Sequence, residues 1–135
     1  MQRTLPILVA SAGSLLLATA AVHAHHAFSA EFDAARPVEL RGIVTRMEWI
    51  NPHSWITVDV TTPDGAVETW EIEAGAPNAM FRRGFTRDSL PVGTEIVVRG
   101  YQARDGGRTA NGRDITLPDG QRLFLGSSRP GDEAE

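Results

Sequence analysis

From Ser54 to Ala74 the apolar residues fall on alternate positions, and this constrains the fold more than any other feature of the chain. Ile56, Val58 and Val60 alternate with Trp55, Thr57, Asp59 and Thr61. Trp70, Ile72 and Ala74 alternate with Thr69, Glu71 and Glu73. A period of two is the signature of a β-strand with one buried face. Between the two runs lies Pro63-Asp64-Gly65, where Pro presets φ for a turn and Gly accepts a positive φ. The spacing predicts a hairpin of strands Ser54–Thr62 and Ala66–Ala74.

The flanking sequence extends this pattern. Val38–Ile50 reads as a long first strand, with Val38 and Leu40 on one face and, after Gly42, Ile43, Met47 and Trp49 on the other. A glycine at such a phase change predicts a bulge there, letting one strand bend and serve two neighbours. Asn51-Pro52 breaks the strand. Ala76–Thr86 contains a short helix, with Pro77 in its first turn and Gly84 as its stop. Thr94–Gln102 forms a fourth strand with Ile96 and Val98 inward and Val97 and Tyr101 partly buried. Arg108–Leu117 forms a fifth, with an interruption expected at Asn111-Gly112, and Gln121–Leu125 adds a short final strand after the Pro118-Asp119-Gly120 turn. The order predicts a mainly β domain: a small five-stranded OB-like β-barrel with one short helix between strands three and four.

The chain opens on Met1-Gln2-Arg3 and an apolar run from Leu5 to Val22, followed by Val22-His23-Ala24. Small residues at the last and third-last positions suit signal peptidase, so residues 1–24 are expected to be a signal peptide cut between Ala24 and His25. Gly13 and Ser14 interrupt the run, which argues against a retained anchor. No second apolar run exists, so no membrane span is expected after cleavage, and the expected location is periplasmic or secreted. Cleavage of 24 of the 135 residues leaves 111, enough for one modest core. They divide into an arm (25–36), the barrel domain (37–125) and a disordered tail (126–135). In the arm, Phe28 and Phe32 are four apart, so one helical turn would stack them on one face against the barrel.

Composition removes several kinds of chemistry. There is no Cys, which excludes disulfides, thiol nucleophiles and thiolate metal sites, and no Lys, which excludes a Schiff base. With Arg3 removed, 12 arginines face 17 acids, a net charge of −5. That balance argues against nucleic acid, which requires a positive surface. No Gly-x-Ser-x-Gly elbow or Gly-rich phosphate loop appears. Ser54 adjoins His53, but strand neighbours point to opposite faces. Glu71 and Glu73 share a strand face with nothing apolar enough nearby to shift a carboxyl. The chain is therefore read as non-enzymatic.

Three histidines survive the expected cleavage: His25, His26 and His53. An N-terminal His25 offers its amine and ring nitrogen to one metal. A further imidazole from His53 or His26 completes a three-nitrogen set of the kind Cu(II) favours. Glu31 and Asp33 are candidates for oxygen or supporting contacts, and Asn51-Pro52 presents His53 on a rigid loop. The same histidines also fit a solvated chain end, with His53 capping a strand. Trp55 faces away from Ile56, Val58 and Val60 and is the best candidate for an exposed aromatic, or for a surface covered by the arm. Trp70 reads as core. Arg82, Arg83, Arg87 and Asp88 read as a solvated helix end.

Several short motifs carry a resemblance: His25-His26-Ala27-Phe28, Glu31-Phe32-Asp33, Trp49-Ile50-Asn51-Pro52-His53, Arg82-Arg83-Gly84-Phe85, Arg87-Asp88-Ser89-Leu90 and Gly100-Tyr101. Through them the chain resembles a family of small exported bacterial proteins of unknown function. That family commonly reads His-His-Ser-Phe at the start and has Trp where Phe85 stands here. The resemblance implies export and an OB-like barrel, with no activity to carry over. The leading expectation is an exported binding protein that holds a copper ion through His25, His53 and His26. The rival is an envelope interaction module, docking a protein or glycan on the face around Trp55, its partner unknown.

Overall fold

A computed structural model describes residues 28–126. The expected signal peptide, His25, His26 and the expected tail beyond Gly126 lie outside the described residues. A helical turn over residues 28–31 (α1) leads into strand β1 (Phe32–Glu48). Then follow β2 (Trp55–Thr61), β3 (Val67–Glu73), helix α2 (Pro77–Arg82), β4 (Glu95–Ala103), β5 (Thr109–Thr116) and β6 (Arg122–Phe124). The fold is mainly β. The strands form one sheet in the order β3-β2-β1-β4-β5-β6, antiparallel throughout that order. β3 also pairs with β5 in parallel, through Glu71↔Thr109, Ile72↔Ala110 and Glu73↔Asn111, so β3 has β2 on one side and β5 on the other.

The hairpin forms as its alternation requires. Ile56, Val58, Trp70, Ile72 and Ala74 are all buried, and Gly65 takes a φ of 86° in the turn. The sheet has six strands: beside the five expected of the barrel, the short final strand expected after the Pro118-Asp119-Gly120 turn forms as Arg122–Phe124 and pairs with β5. β5 is not interrupted at Asn111-Gly112. Its partners jump from Asp114, opposite Arg99, to Gly112, opposite Gly100, so Arg113 is accommodated as a bulge.

β1 differs from expectation in an instructive way. It does serve two neighbours: Phe32–Ile43 pairs with β4, and Ile43–Glu48 with β2. The bulge, however, is not at Gly42. The register shift falls between Val44 and Arg46, making Thr45 the extra residue. Val38, Leu40, Gly42 and Val44 therefore share the inward face, and only beyond Thr45 does the phase change to bring Met47 inward. Val44 is fully buried, and Ile43, expected inside, is 40% exposed. Gly42 is required for a different reason. A Cβ there would stand 2.4 Å from the Asp59 carbonyl oxygen and 2.6 Å from Val58 Cγ1. β1 also begins six residues before Val38, because Phe32 already pairs with Ala103.

One apolar cluster fills the interior: Val44, Ile56, Val58, Trp70, Ile72, Ile96, Val98 and Ile115 from the strands, with Met80, Phe85 and Leu90 from α2 and the segment after it. Pro77 opens α2 as expected, and Gly84, at φ 98°, ends it so that Phe85 turns inward and its N–H bonds to the Met80 carbonyl (3.2 Å). Among the described residues, no helix is long and apolar enough to cross a membrane.

Candidate functional site

The segment between β1 and β2 is held at both ends. At its start, the Trp49 ring packs on Phe81 (centroids 5.0 Å apart) and Phe85 (6.4 Å). At its end, the Ser54 N–H donates to the Gly75 carbonyl (3.0 Å), and the Ala74 N–H donates to the Ser54 carbonyl (2.8 Å). Asn51, Pro52 and His53 are exposed between these anchors, and the Asn51-Pro52 peptide bond is cis. Ser54 is fully buried, while the adjacent His53 side chain is 48% exposed, so hydroxyl and imidazole part company as expected for strand neighbours.

His53 is fixed by a residue twenty positions away. Its Nδ1 lies 3.0 Å from Glu73 Oε1. Glu73 closes β3 opposite Trp55, the first paired residue of β2, so register alone brings its carboxylate beside the His53 loop. The Glu73 side chain is only 6% exposed, although Ile72 and Ala74 on either side of it take the core face. A carboxylate so far from water needs donors. Asn111 Nδ2, from the neighbouring β5, donates to the same Oε1 at 3.4 Å. A neutral imidazole that donates Nδ1–H to this carboxylate would keep its Nε2 lone pair for another partner, the arrangement typical of a metal-ligating histidine.

The other acid of the pair diverges. Glu71 accepts from Thr57 Oγ1 at 3.2 Å and lies 3.6 Å from Arg46 Nη2. The two carboxylates thus serve separate partners on one strand face.

The arm docks nearby on the same side of the sheet. Phe28 stacks at 5.8 Å on Phe32 as the spacing predicts, and meets the Tyr101 ring edge-on at 5.7 Å. Tyr101 stands opposite Asn111, and Asn111 opposite Glu73. Paired residues project from the same face. One row across the sheet therefore runs from the arm through Tyr101, Asn111 and Glu73 to Trp55 and His53. Trp55 is half-buried in this row, between Glu48 and Glu73. The ring that receives the arm is Tyr101.

Other expected residues are placed as follows. Glu31 is exposed in α1, its carbonyl accepting from the Arg104 N–H (2.9 Å). Asp33 accepts from the Ala35 N–H (3.0 Å) and lies 3.8 Å from Arg36 Nε. Arg87 lies over the Phe81 ring at 5.7 Å. Among the described residues no group of three or more His, Asp or Glu side chains converges as a metal cage. Glu73 and Asn111 carry no local sequence signal as partners of His53. They follow only from the β2–β3 register and the β3–β5 ladder.

A second polar cluster lies on the β4–β5–β6 side. Asp114, fully buried, accepts from Arg122 Nε (2.9 Å) and Nη2 (2.8 Å), with Arg99 Nη1 at 3.6 Å. These hydrogen bonds hold the Arg122 guanidinium even more firmly charged than usual, against the opposing effect of burial.

Fold and site together define a small, mainly antiparallel β domain that presents a half-exposed histidine anchored on a buried carboxylate. Over residues 13–112 the sequence matches a family of unknown function, DUF6152, and the chain belongs to that family. No curated protein and no solved structure matches it.

Proposed function

We propose that this is an exported, non-enzymatic binding protein, built on a sheet that closes as an OB-like barrel, which holds a copper ion through the amine and ring of His25, through His53 Nε2, and through His26. The observation that carries the reading is the committed Nδ1 of His53. A half-exposed ring with one nitrogen beside Glu73 at 3.0 Å has its other nitrogen left for a ligand. The barrel is supported by the β3–β5 parallel ladder, since the pairings β1–β2–β3–β5–β4–β1 return to their starting strand.

Reach supports the joint use of both chain segments. Tyr101 and Glu73 are two strand spacings apart, roughly 10 Å. Phe28 packs on Tyr101, and the three residues before Phe28 extend up to about 10 Å, with the imidazole adding to that. A chain beginning at His25 therefore has the length to meet His53. The donors are nitrogen and oxygen, with no thiolate available, which favours Cu(II) over Cu(I).

The test is to produce the protein through its own leader, fix the first residue by mass spectrometry, and titrate Cu(II) with electron paramagnetic resonance. One equivalent bound in a nitrogen-rich site, lost in His53→Ala and lost when one residue is added ahead of His25, is the expected result. Binding no tighter than that of an unstructured peptide, or a mature chain starting elsewhere, sinks the reading. That outcome would favour an envelope interaction module on the Trp55 side of the sheet.

A further inference from the structure

We infer that Asn111, Glu73 and His53 form a positioning chain that dictates which ring nitrogen His53 presents. This deepens the copper reading and rests on it for the ligand alone; the tautomer claim stands on the geometry. The chain crosses three pieces of the fold. Asn111 Nδ2 on β5 donates to Glu73 Oε1 on β3 (3.4 Å), and the same oxygen lies 3.0 Å from Nδ1 of His53, in the segment before β2. Asn111 is 1% exposed and Glu73 4%, so the carboxylate cannot turn to bulk water for its donors. The β3–β5 ladder fixes Asn111 opposite Glu73, and the β2–β3 ladder fixes Glu73 opposite Trp55. The carboxylate is thus held in place from two sides before any ligand arrives.

The consequence is specific. A free neutral imidazole carries its proton on either nitrogen, whereas a carboxylate held at Nδ1 keeps the proton there and leaves Nε2 as the lone-pair nitrogen. Glu73 is a positioning residue in this arrangement: it touches the ligating ring and not the metal. Outer contacts of this type govern metal affinity by about 10- to 100-fold. Glu71, two residues away on the same strand face, bonds to Thr57 instead and serves as the internal control.

The experiment needs no variant for its first arm. Two-bond ¹⁵N–¹H correlation spectra of metal-free, ¹⁵N-His-labelled protein at about pH 8.5, above the ordinary imidazole range, assign the tautomer directly. The expected result is Nδ1–H for His53. An Nε2–H ring in the wild-type protein overturns the inference. In the second arm, Glu73→Gln is expected to shift His53 toward the other tautomer and to weaken Cu(II) binding about 10- to 100-fold, while Glu71→Gln changes neither. Should Glu73→Gln fail to fold, Asn111→Ala, which keeps the carboxylate but removes one of its tethers, is read for a mixed tautomer population. Equal effects of Glu71→Gln and Glu73→Gln, or an unmoved tautomer in a folded Glu73→Gln, also overturn the inference. Wild-type protein that shows Nδ1–H but binds no copper defeats the copper reading and leaves the positioning chain standing.

Discussion

Replacing Gly42 with alanine tests the account of β1 most sharply. The added methyl would meet the Asp59 carbonyl oxygen at 2.4 Å and Val58 Cγ1 at 2.6 Å. Ordinary non-bonded contacts of these kinds lie at about 3.3–4.0 Å, so β1 and β2 must part by about 1 Å. β1 cannot simply move the other way, because Gly42 is paired with Ile96 of β4. The strain falls on the end of the β1–β2 ladder, at Ile43↔Asp59 and Val44↔Val58. Loosening about two ladder hydrogen bonds removes roughly 1 kcal/mol each. Partly unpacking Val44 and Val58, both fully buried, removes about 1–3 kcal/mol more. Reduced freedom of the unfolded chain offsets about 0.4–1 kcal/mol of this. The net expectation is a loss of about 3 kcal/mol, against a total of about 5–15 kcal/mol for a domain of this class. Gly65→Ala is the control. It has open space around it but a φ of 86°, so it should cost only about 1–2 kcal/mol. Urea unfolding followed by tryptophan fluorescence measures both. A Gly42→Ala protein as stable as Gly65→Ala would refute the claim that close strand approach, rather than backbone conformation, demands glycine at position 42.

Three further outcomes follow from the packing. Asp114→Ala removes the acceptor shared by Arg122 and Arg99 and should cost about 2–3 kcal/mol, below the value for a fully buried pair because the Arg122 side chain is 40% exposed and can turn to water; chemical denaturation measures it, and hydrogen exchange should rise first along β6. Phe28→Ala removes the ring contacts with Phe32 and Tyr101 and should cost about 1–2 kcal/mol, with limited proteolysis now cutting near residues 28–31. In the β2–β3 turn, the Thr62 hydroxyl bonds to Asp64 and holds its carboxyl below the ordinary 3.8, followed by a backbone bond from Ala66. A lowered folded value contributes stability that is full above 3.8 and lost as pH falls through the folded value. Thr62→Val should therefore be slightly less stable than wild type near neutrality, and the two should converge in acid below that range; a gap that widened in acid would contradict the sign.

How much of this was legible beforehand depended on whether the signal was local. The β2–β3 hairpin, the Pro77 start and Gly84 stop of α2, and the inward Ile96 and Val98 of β4 all follow from period and turn chemistry within a few residues. The phase of β1 did not. The sequence carries a glycine at 42 and an apolar residue at both 43 and 44, and the glycine drew the bulge to itself. The extra residue is Thr45, an ordinary β-former with no mark of its own, so Ile43 faces out where the glycine predicts it inward. The same limit hid Glu73. Its alternation with Ile72 and Ala74 marks it as outward-facing, and outward-facing acids are ordinarily solvated. Only the ladder pairings reveal that Asn111 and His53 converge on it.

The two buried carboxylates of the outward face differ in a way that separates structure from function. Asp114 and its arginines form a closed set: the bidentate Arg122 bond ties β6 to β5, and Arg99 brings in β4 and Glu39 of β1. Each charge in it faces an opposite charge within the sheet, which is what a clasp between strands requires. Glu73 is arranged otherwise. Among its partners are a neutral amide and an imidazole, and the ring of that imidazole is half-exposed. The difference is chemical rather than positional: the Asp114 set is closed by guanidinium groups, which have no lone pair for a ligand, whereas the Glu73 set includes an imidazole, a ring able to carry one.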